Sequence, residues 1–318
     1  MFKMAVKQKI GFQPYDISSV DDASHLKDNF SHVETWYFDG YFKDRYSMVI
    51  LVNVLHINGF GFVLTGLYLY KDTEPIITIR RRFPLKTFFG STENPVITID
   101  NKTIINYLGI DKKTEYWSYN ISMGDTTNGV DLRFVQKNKS WKGKTLLGQW
   151  LVVPLFDVTG SLFVDGKKLN VTGIGYHDHN IYPLYAPFFI KGYHFGKIPL
   201  GKFNITWANV MSRKGIDQPI VVINKEDTYI SVDPCNIKFI VEKEIKNNGN
   251  IIPEIFNICI NTDNVNLSVK SQMNNIHNIH FPALNYWRYH IHYLGELTID
   301  SKTINIDLID ISELLRFF

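Results

Sequence analysis

The stretch "QWLVVPLFDVTGSLFVDGKKLNVTGIGYH", residues 149–177, decides how the rest of the chain is read. Apolar and polar residues alternate on both sides of Asp165-Gly166. An Asp-Gly pair between two alternating runs signals a tight β-hairpin. A period of two sends neighbouring side chains to opposite faces, so each run predicts a strand with one face turned to a core. Upstream, "YSMVILVNVLHI" (46–57), "GFVLTGLYLYK" (61–71), "EPIITIRRRF" (74–83), "NPVITIDNKTIINYL" (94–108), "EYWSYNISM" (115–123) and "VDLRFVQ" (130–136) read the same way. Downstream, "KFNITWANVM", "QPIVVIN", "TYISVD", "NIKFIVEKEI", "EIFNICINTDNVNLSVKSQ" and "NYWRYHIHYLGELTIDSKTINIDLID" continue the series to residue 310. Helical periodicity is scarce.

About a dozen short strands punctuated by turn residues predict an all-β protein, a sandwich or barrel. So many antiparallel strands must hide their edges, and closure into barrels does so directly. A chain of 318 residues is long enough for two cores. The proline- and glycine-rich stretch "YPLYAPFFIKGYHFGKIPLGKF" (182–203) interrupts the alternation. It places a boundary between domains spanning 1–185 and 186–318.

Composition narrows the function classes. With 45% hydrophobic residues and a net charge of +3 spread along the chain, the sequence is that of a folded globular protein without a nucleic-acid-binding block. The one basic run, Arg80-Arg81-Arg82, follows an alternating segment and is expected at a surface strand end. Cys235 and Cys259 are too few for a disulfide framework and are expected as buried free thiols. The N-terminus lacks the apolar region of a secretory leader, and no run is long enough to span a bilayer. A cytoplasmic protein without stable membrane insertion is the expectation, and its oligomeric state is left open. Walker, Rossmann and GxSxG signatures are absent, which removes most nucleotide-dependent and triad chemistry.

Three clusters carry candidate chemistry. In "GIGYHDHNIY" (173–182), an extended backbone puts His177 and His179 on one face and Asp178 and Asn180 on the other. The two histidines can join a metal site, for which His290 and His292 of "YHIHY" would supply further ligands. They can instead belong to a buried polar network, or face an apolar ligand cavity as its polar groups. In "HVETWYFDGYF" (32–42), Glu34, Trp36 and Phe38 share one face. A carboxylate desolvated beside Trp and Tyr has a raised pKa, which makes Glu34 a candidate acid. In "NYWRYHIHY" (285–293), Trp287, Tyr289, Ile291 and Tyr293 share one face, and Arg288 on the other needs an acidic partner or water.

Taken together, "ETWYFDG" (34–40) and "GIGYHDHN" (173–180) resemble the AttH-like/carotenoid 1,2-hydratase family, whose relatives include fungal decalin-forming Diels–Alderases. The C-terminal "YWRYHIHYLGELTID" is similar to a late strand of that family. The resemblance covers residues 30–318 and implies two lipocalin-like antiparallel β-barrels packed side by side, with a ligand cavity in or between them. It implies no metal and no redox cofactor. Family hydratases follow the HDHN string with a Trp, where this chain has Ile181. They also carry a Tyr-x-Asp further on, matched here by Trp207-Ala208-Asn209, so the hydratase acid is replaced by an amide that hydrogen-bonds but is no acid.

The expected function is therefore a cofactor-independent cyclase or isomerase acting on an apolar, polyene- or isoprenoid-like small molecule. His177, His179 and Asn209 are its expected catalytic residues, with Glu34 as reserve acid. Trp36, Tyr176, Asn180, Trp207 and Arg288 are its expected substrate-binding residues. Two alternatives stand beside it: a lipid or isoprenoid carrier without chemistry, and a hydratase of a polyene double bond.

Overall fold

The computed structural model describes residues 11–26, 31–111, 116–281 and 284–318. The N-terminal residues read above for a leader fall largely outside this set, as does Glu115. Among the described residues, the regular structure consists of antiparallel strands and a few single 3-10 turns. The chain divides into two compact units. The first spans Pro14–Leu184 together with Lys225–Thr228; the second contains Tyr185–Asn224 and Tyr229–Phe318.

In the first unit, twelve strands form one sheet that curls into a nearly closed barrel. Four consecutive strands, His32–Phe42, Tyr46–Ile57, Phe60–Lys71 and Glu74–Pro84, form a meander from the sheet centre to one edge. The remaining strands return from the other edge, ending with Gln149–Val164 and Lys167–Pro183. The strand His32–Phe42 then pairs along its whole length with Lys167–Pro183, closing the middle of the sheet. The hairpin at Asp165-Gly166 forms as the sequence predicts, with φ of 50° and 78°. A two-residue turn of this kind matches the twist of its strands only when both residues adopt positive φ. Asp100-Asn101 and Asp300-Ser301 turn the chain in the same way, with every φ between 49° and 62°.

The second unit repeats this topology with nine strands in an open half-barrel. Its first strand, Ile190–Leu200, pairs with its last, Lys302–Phe317. Its exposed edge strand Ile237–Asn247 carries alternating Lys and Glu, which discourages pairing with another chain. Arg80–Arg82 have the same place in the first unit, exposed on the edge strand Glu74–Pro84. Each unit has its own apolar core. Trp36, Phe38, Tyr119, Phe134 and Phe156 centre the first, and Trp207, Phe256, Trp287 and Tyr289 the second. Several strands run to 16 or 17 residues, longer than the short strands expected, because their alternation continues through bulges. The cysteines also differ from expectation. Cys259 is half-buried and Cys235 exposed, carried out on the short turn Pro234–Asn236, and both are free thiols.

Candidate functional site

The pairing of His32–Phe42 with Lys167–Pro183 places two motifs about 140 residues apart on adjacent strands. Trp36 lies opposite His179 and Phe38 opposite His177. Alternation then sends Glu34, Trp36, Phe38, His177 and His179 to the barrel interior, where all five are buried. Each imidazole stacks on the aromatic ring across from it. His177 sits 3.9 Å from Phe38 at an interplanar angle of 10°, and His179 sits 4.4 Å from Trp36 at 21°.

A segment before the first strand completes the cluster. The turn Ser19–Asp22 is held by a capping box, in which the Ser18 N–H donates to the Asp21 carboxylate at 2.8 Å. The Ser24 N–H then donates to the carbonyl of Ser91. This anchoring drives Asp22, Ser24 and His25 onto the histidines. Asp22 takes His177 Nε2 at 3.0 and 3.1 Å and the Tyr119 hydroxyl at 2.8 Å, and its carbonyl accepts from Trp36 Nε1 at 3.1 Å. Glu34 accepts from the His25 N–H at 2.8 Å, from Ser24 Oγ at 3.3 Å and from His179 Nε2 at 3.0 Å.

The members of the network set one another's ionisation. Burial opposes ionisation of Asp22, yet His177 and His179 beside it hold the carboxyl well below the usual carboxylate range. Burial opposes the charge on Glu34 too, and its hydrogen bonds to His179 and His25 outweigh that and bring it down to about 2. Glu34 is thus ionised, contrary to the raised pKa expected from its Trp and Tyr neighbours, because those aromatic rings bring histidines with them. Burial opposes protonation of His179, but Asp22 and Glu34 together raise it to about 9. His177 Nδ1 donates to the Tyr37 carbonyl at 2.8 Å while Nε2 faces Asp22, so both its nitrogens meet acceptors. His179 differs. Its Nε2 is committed to Glu34, but its Nδ1 lies 3.3 Å from Asp22 Oδ1 without the alignment of a hydrogen bond. That N–H is a loosely held donor of the cluster.

The opposite faces of the same strands hold a separate group. Asp178 accepts from Tyr176 at 3.0 Å, Trp150 at 3.3 Å and Asn180 at 2.7 Å. Tyr176 and Asn180 thus point away from His177 and His179. Trp207, Asn209 and Arg288 belong to the second unit. Trp207 is a core residue beside His194 and Phe256, and Asn209 is half-buried on the same strand. Arg288 is fully buried, with Nε 2.9 Å from Glu313, and so has the acidic partner its position requires. Of the second histidine pair, His292 binds Asp307 at 2.7 Å, and His290 is buried with its pKa pushed down to about 3 by burial and by Arg288 and Lys197. Among the described residues, one set of three donors is spaced to hold a metal: His25, Glu34 and His179, with ligand atoms within 4.8 Å of one another. Metal binding there would take the proton from His179 and replace its hydrogen bond to Glu34.

Asp22, Ser24, His25 and Tyr119 were not singled out in the sequence. The Ser18-x-x-Asp21 capping signature is legible there, but not which residues the turn covers.

The fold that carries this cluster is the AttH-like, lipocalin-like pair of barrel-like sheets. A crystal structure of a putative AttH from Nitrosomonas europaea superposes with a TM-score of 0.62 over 100% of both chains at 11% identity. Kievitone hydratase from Nectria haematococca gives 0.58 at 10% identity, over 89% of this chain and 88% of its own. CghA crystallised with Sch210972 gives 0.52 at 8% identity, over 96% and 98%. At such identities the likeness is one of fold. No protein-family model and no curated protein sequence matches the chain. Among the described residues, no helix is long and apolar enough to cross a membrane.

Proposed function

We propose that the first unit acts on an apolar, polyene- or isoprenoid-like small molecule bearing a carbonyl or similar polar head, and that it does so as a cyclase or isomerase without a cofactor. The observation that carries this reading is His179, a buried ring with a pKa near 9 between two carboxylates, whose Nδ1 is not aligned to any acceptor. An acid this weak gives up a proton reluctantly but remains a charged hydrogen-bond donor at neutral pH. Such a donor polarises a carbonyl conjugated to a polyene. It is poorly suited to protonating an unactivated double bond, which disfavours hydration, and so does the amide at Asn209. Asp22 and Glu34 would hold His179 charged and oriented, His177 would position Asp22, and Trp36 would fix the His179 ring. Folding a flexible chain into a reactive shape contributes up to about 7–11 kcal/mol in favourable cases. Two proteins of this fold, a kievitone hydratase and CghA with its bound Sch210972, handle small organic molecules and support the substrate class.

Complete burial of Asp22, Glu34 and His177 favours a second reading, in which the network only ties residues 18–25 to the barrel. One experiment separates the two. The protein is incubated with linear conjugated polyenes ending in a carbonyl, in isotopically labelled water, and products are resolved by chromatography and mass spectrometry. A product of unchanged mass and altered retention, lost on the order of a hundredfold in His179→Gln, is expected. A product one labelled water heavier makes the protein a hydratase. A substrate returned unchanged from a stable complex makes it a carrier, and no binding at all leaves the structural role.

A further inference from the structure

At one end of the second unit, the segment from Tyr185 to Phe189 turns through the short 3-10 helix Ala186–Phe188 and exposes its aromatic side chains instead of burying them. Phe188 is 78% exposed, Tyr185 60% and Phe189 55%, with Tyr185 and Phe189 edge to face at 6.2 Å. Phe318, 69% exposed, is drawn to the same place by Arg213. Its guanidinium donates to the Pro187 carbonyl and to the Phe318 carbonyl, each at 2.8 Å, while the Arg213 N–H donates to the Phe189 carbonyl at 2.9 Å. One cation therefore braces two chain segments by their backbones and leaves four large aromatic side chains facing outward. Lys191, two residues after Phe189, and Lys214, next to Arg213, are both exposed, and so is Ile216 on the same turn. Asp217 is the one acidic residue of the adjoining turn, and its carboxylate is engaged by the Ser212 N–H.

Scattered apolar residues on a surface need no explanation; a cluster braced from behind and rimmed by cations does. Aromatic side chains beside lysine and arginine suit the interface of an anionic bilayer, where rings enter the headgroup region and cations meet lipid phosphates. We infer that this patch docks the protein reversibly on the surface of a negatively charged membrane. Such docking is peripheral and needs no spanning segment. It is also independent of the catalytic reading, since the patch shares no residue with the His179 network. If both hold, the protein works where an apolar substrate is concentrated.

The test is vesicle co-sedimentation of the full chain with liposomes of phosphatidylcholine alone or mixed with phosphatidylserine. Binding to the anionic vesicles is expected, weakening as salt rises, with at least tenfold weaker binding to the neutral ones. Phe188→Ser/Phe189→Ser should reduce that binding at least tenfold, and Lys191→Glu or Lys214→Glu each about fivefold or more. Because these side chains are exposed, the variants should keep the parent's melting temperature, which is checked alongside. Failure to bind anionic vesicles, or equal binding by the double serine variant, overturns the inference. A concentration-dependent dimer abolished by the same double variant, without vesicle binding, also overturns it and assigns the patch to a second copy of the chain.

Discussion

His179 and His194 are both buried beside tryptophan, and they titrate in opposite directions. His179 is raised to about 9, with burial overcome by the adjacent Asp22 carboxylate and by the hydrogen bond to Glu34. His194 is lowered to about 3 by burial, with Arg316 adding repulsion. Its Nε2 has only the Ser312 hydroxyl at 3.3 Å, and its ring is walled by Trp207, Phe256 and Tyr289. The two units share a strand order and a closing pair, yet the histidine beside tryptophan is charged in one and neutral in the other. Burial alone does not set a histidine's charge; the sign of its neighbours does.

The largest expected effect comes from removing the carboxylate that both histidines of the first unit face. Asp22→Ala leaves His177 Nε2 without its acceptor and His179 with one carboxylate instead of two, and should destabilise the first unit by about 3–5 kcal/mol. His194→Phe removes a neutral ring from an aromatic setting and should cost less than about 1.5 kcal/mol. Urea denaturation of the two variants checks this, and equal losses would break the comparison.

Acid should weaken both units, whereas alkali should weaken the first through His179. The folded pKa of His179 lies above its unfolded value near 6.5, so its contribution to stability is complete below pH 6.5 and is lost as pH rises through about 9. For His194 the folded value lies below 6.5, so its contribution is complete above that pH and declines as pH falls toward about 3. Glu34, lowered to about 2, contributes above pH 4.5 and loses that contribution on the way down to about 2. Urea midpoints measured against pH for the wild type, His179→Phe and His194→Phe should separate these limbs. A wild-type alkaline limb that persists unchanged in His179→Phe would show that another group causes it.

A last pair of variants distinguishes two buried tyrosines. Tyr119 donates to Asp22, and a hydrogen bond to a charged group contributes about 1.5–3 kcal/mol, which Tyr119→Phe should remove. The Tyr289 hydroxyl is buried without a hydrogen-bond partner, so Tyr289→Phe should change stability by less than about 0.5 kcal/mol or raise it slightly. Thermal melts of the two variants test this pair.

Much of the fold was legible because a period of two and a positive-φ turn are local properties. Asp165-Gly166, the strands around it and the shared face of His177 and His179 all follow from residues within a few positions of one another. The facing of Glu34, Trp36 and Phe38 was legible for the same reason, and so was the need of Arg288 for an acid. Glu34 shows where local reading stops. Its sequence neighbours are aromatic and suggest a raised pKa, whereas its spatial neighbours, His25 and His179, hold it ionised. Tyr176 and Asn180 stand beside the histidines in sequence and across the sheet from them in space, bound to Asp178. Asp22 sits in a polar turn with no chemical signature of its own, and it is the acceptor on which the network converges.

By itself, the sequence determined that this chain forms antiparallel strands, and which residues of each strand share a face, because alternation and turn chemistry act over a few residues. Only the tertiary structure decided that strand His32–Phe42 closes on Lys167–Pro183, that a capped turn brings Asp22 and His25 over the join, and that His179 is charged while His194 is not. Charge in an interior depends on groups brought within about 4 Å from anywhere in the chain, and no pattern of neighbouring letters records that distance.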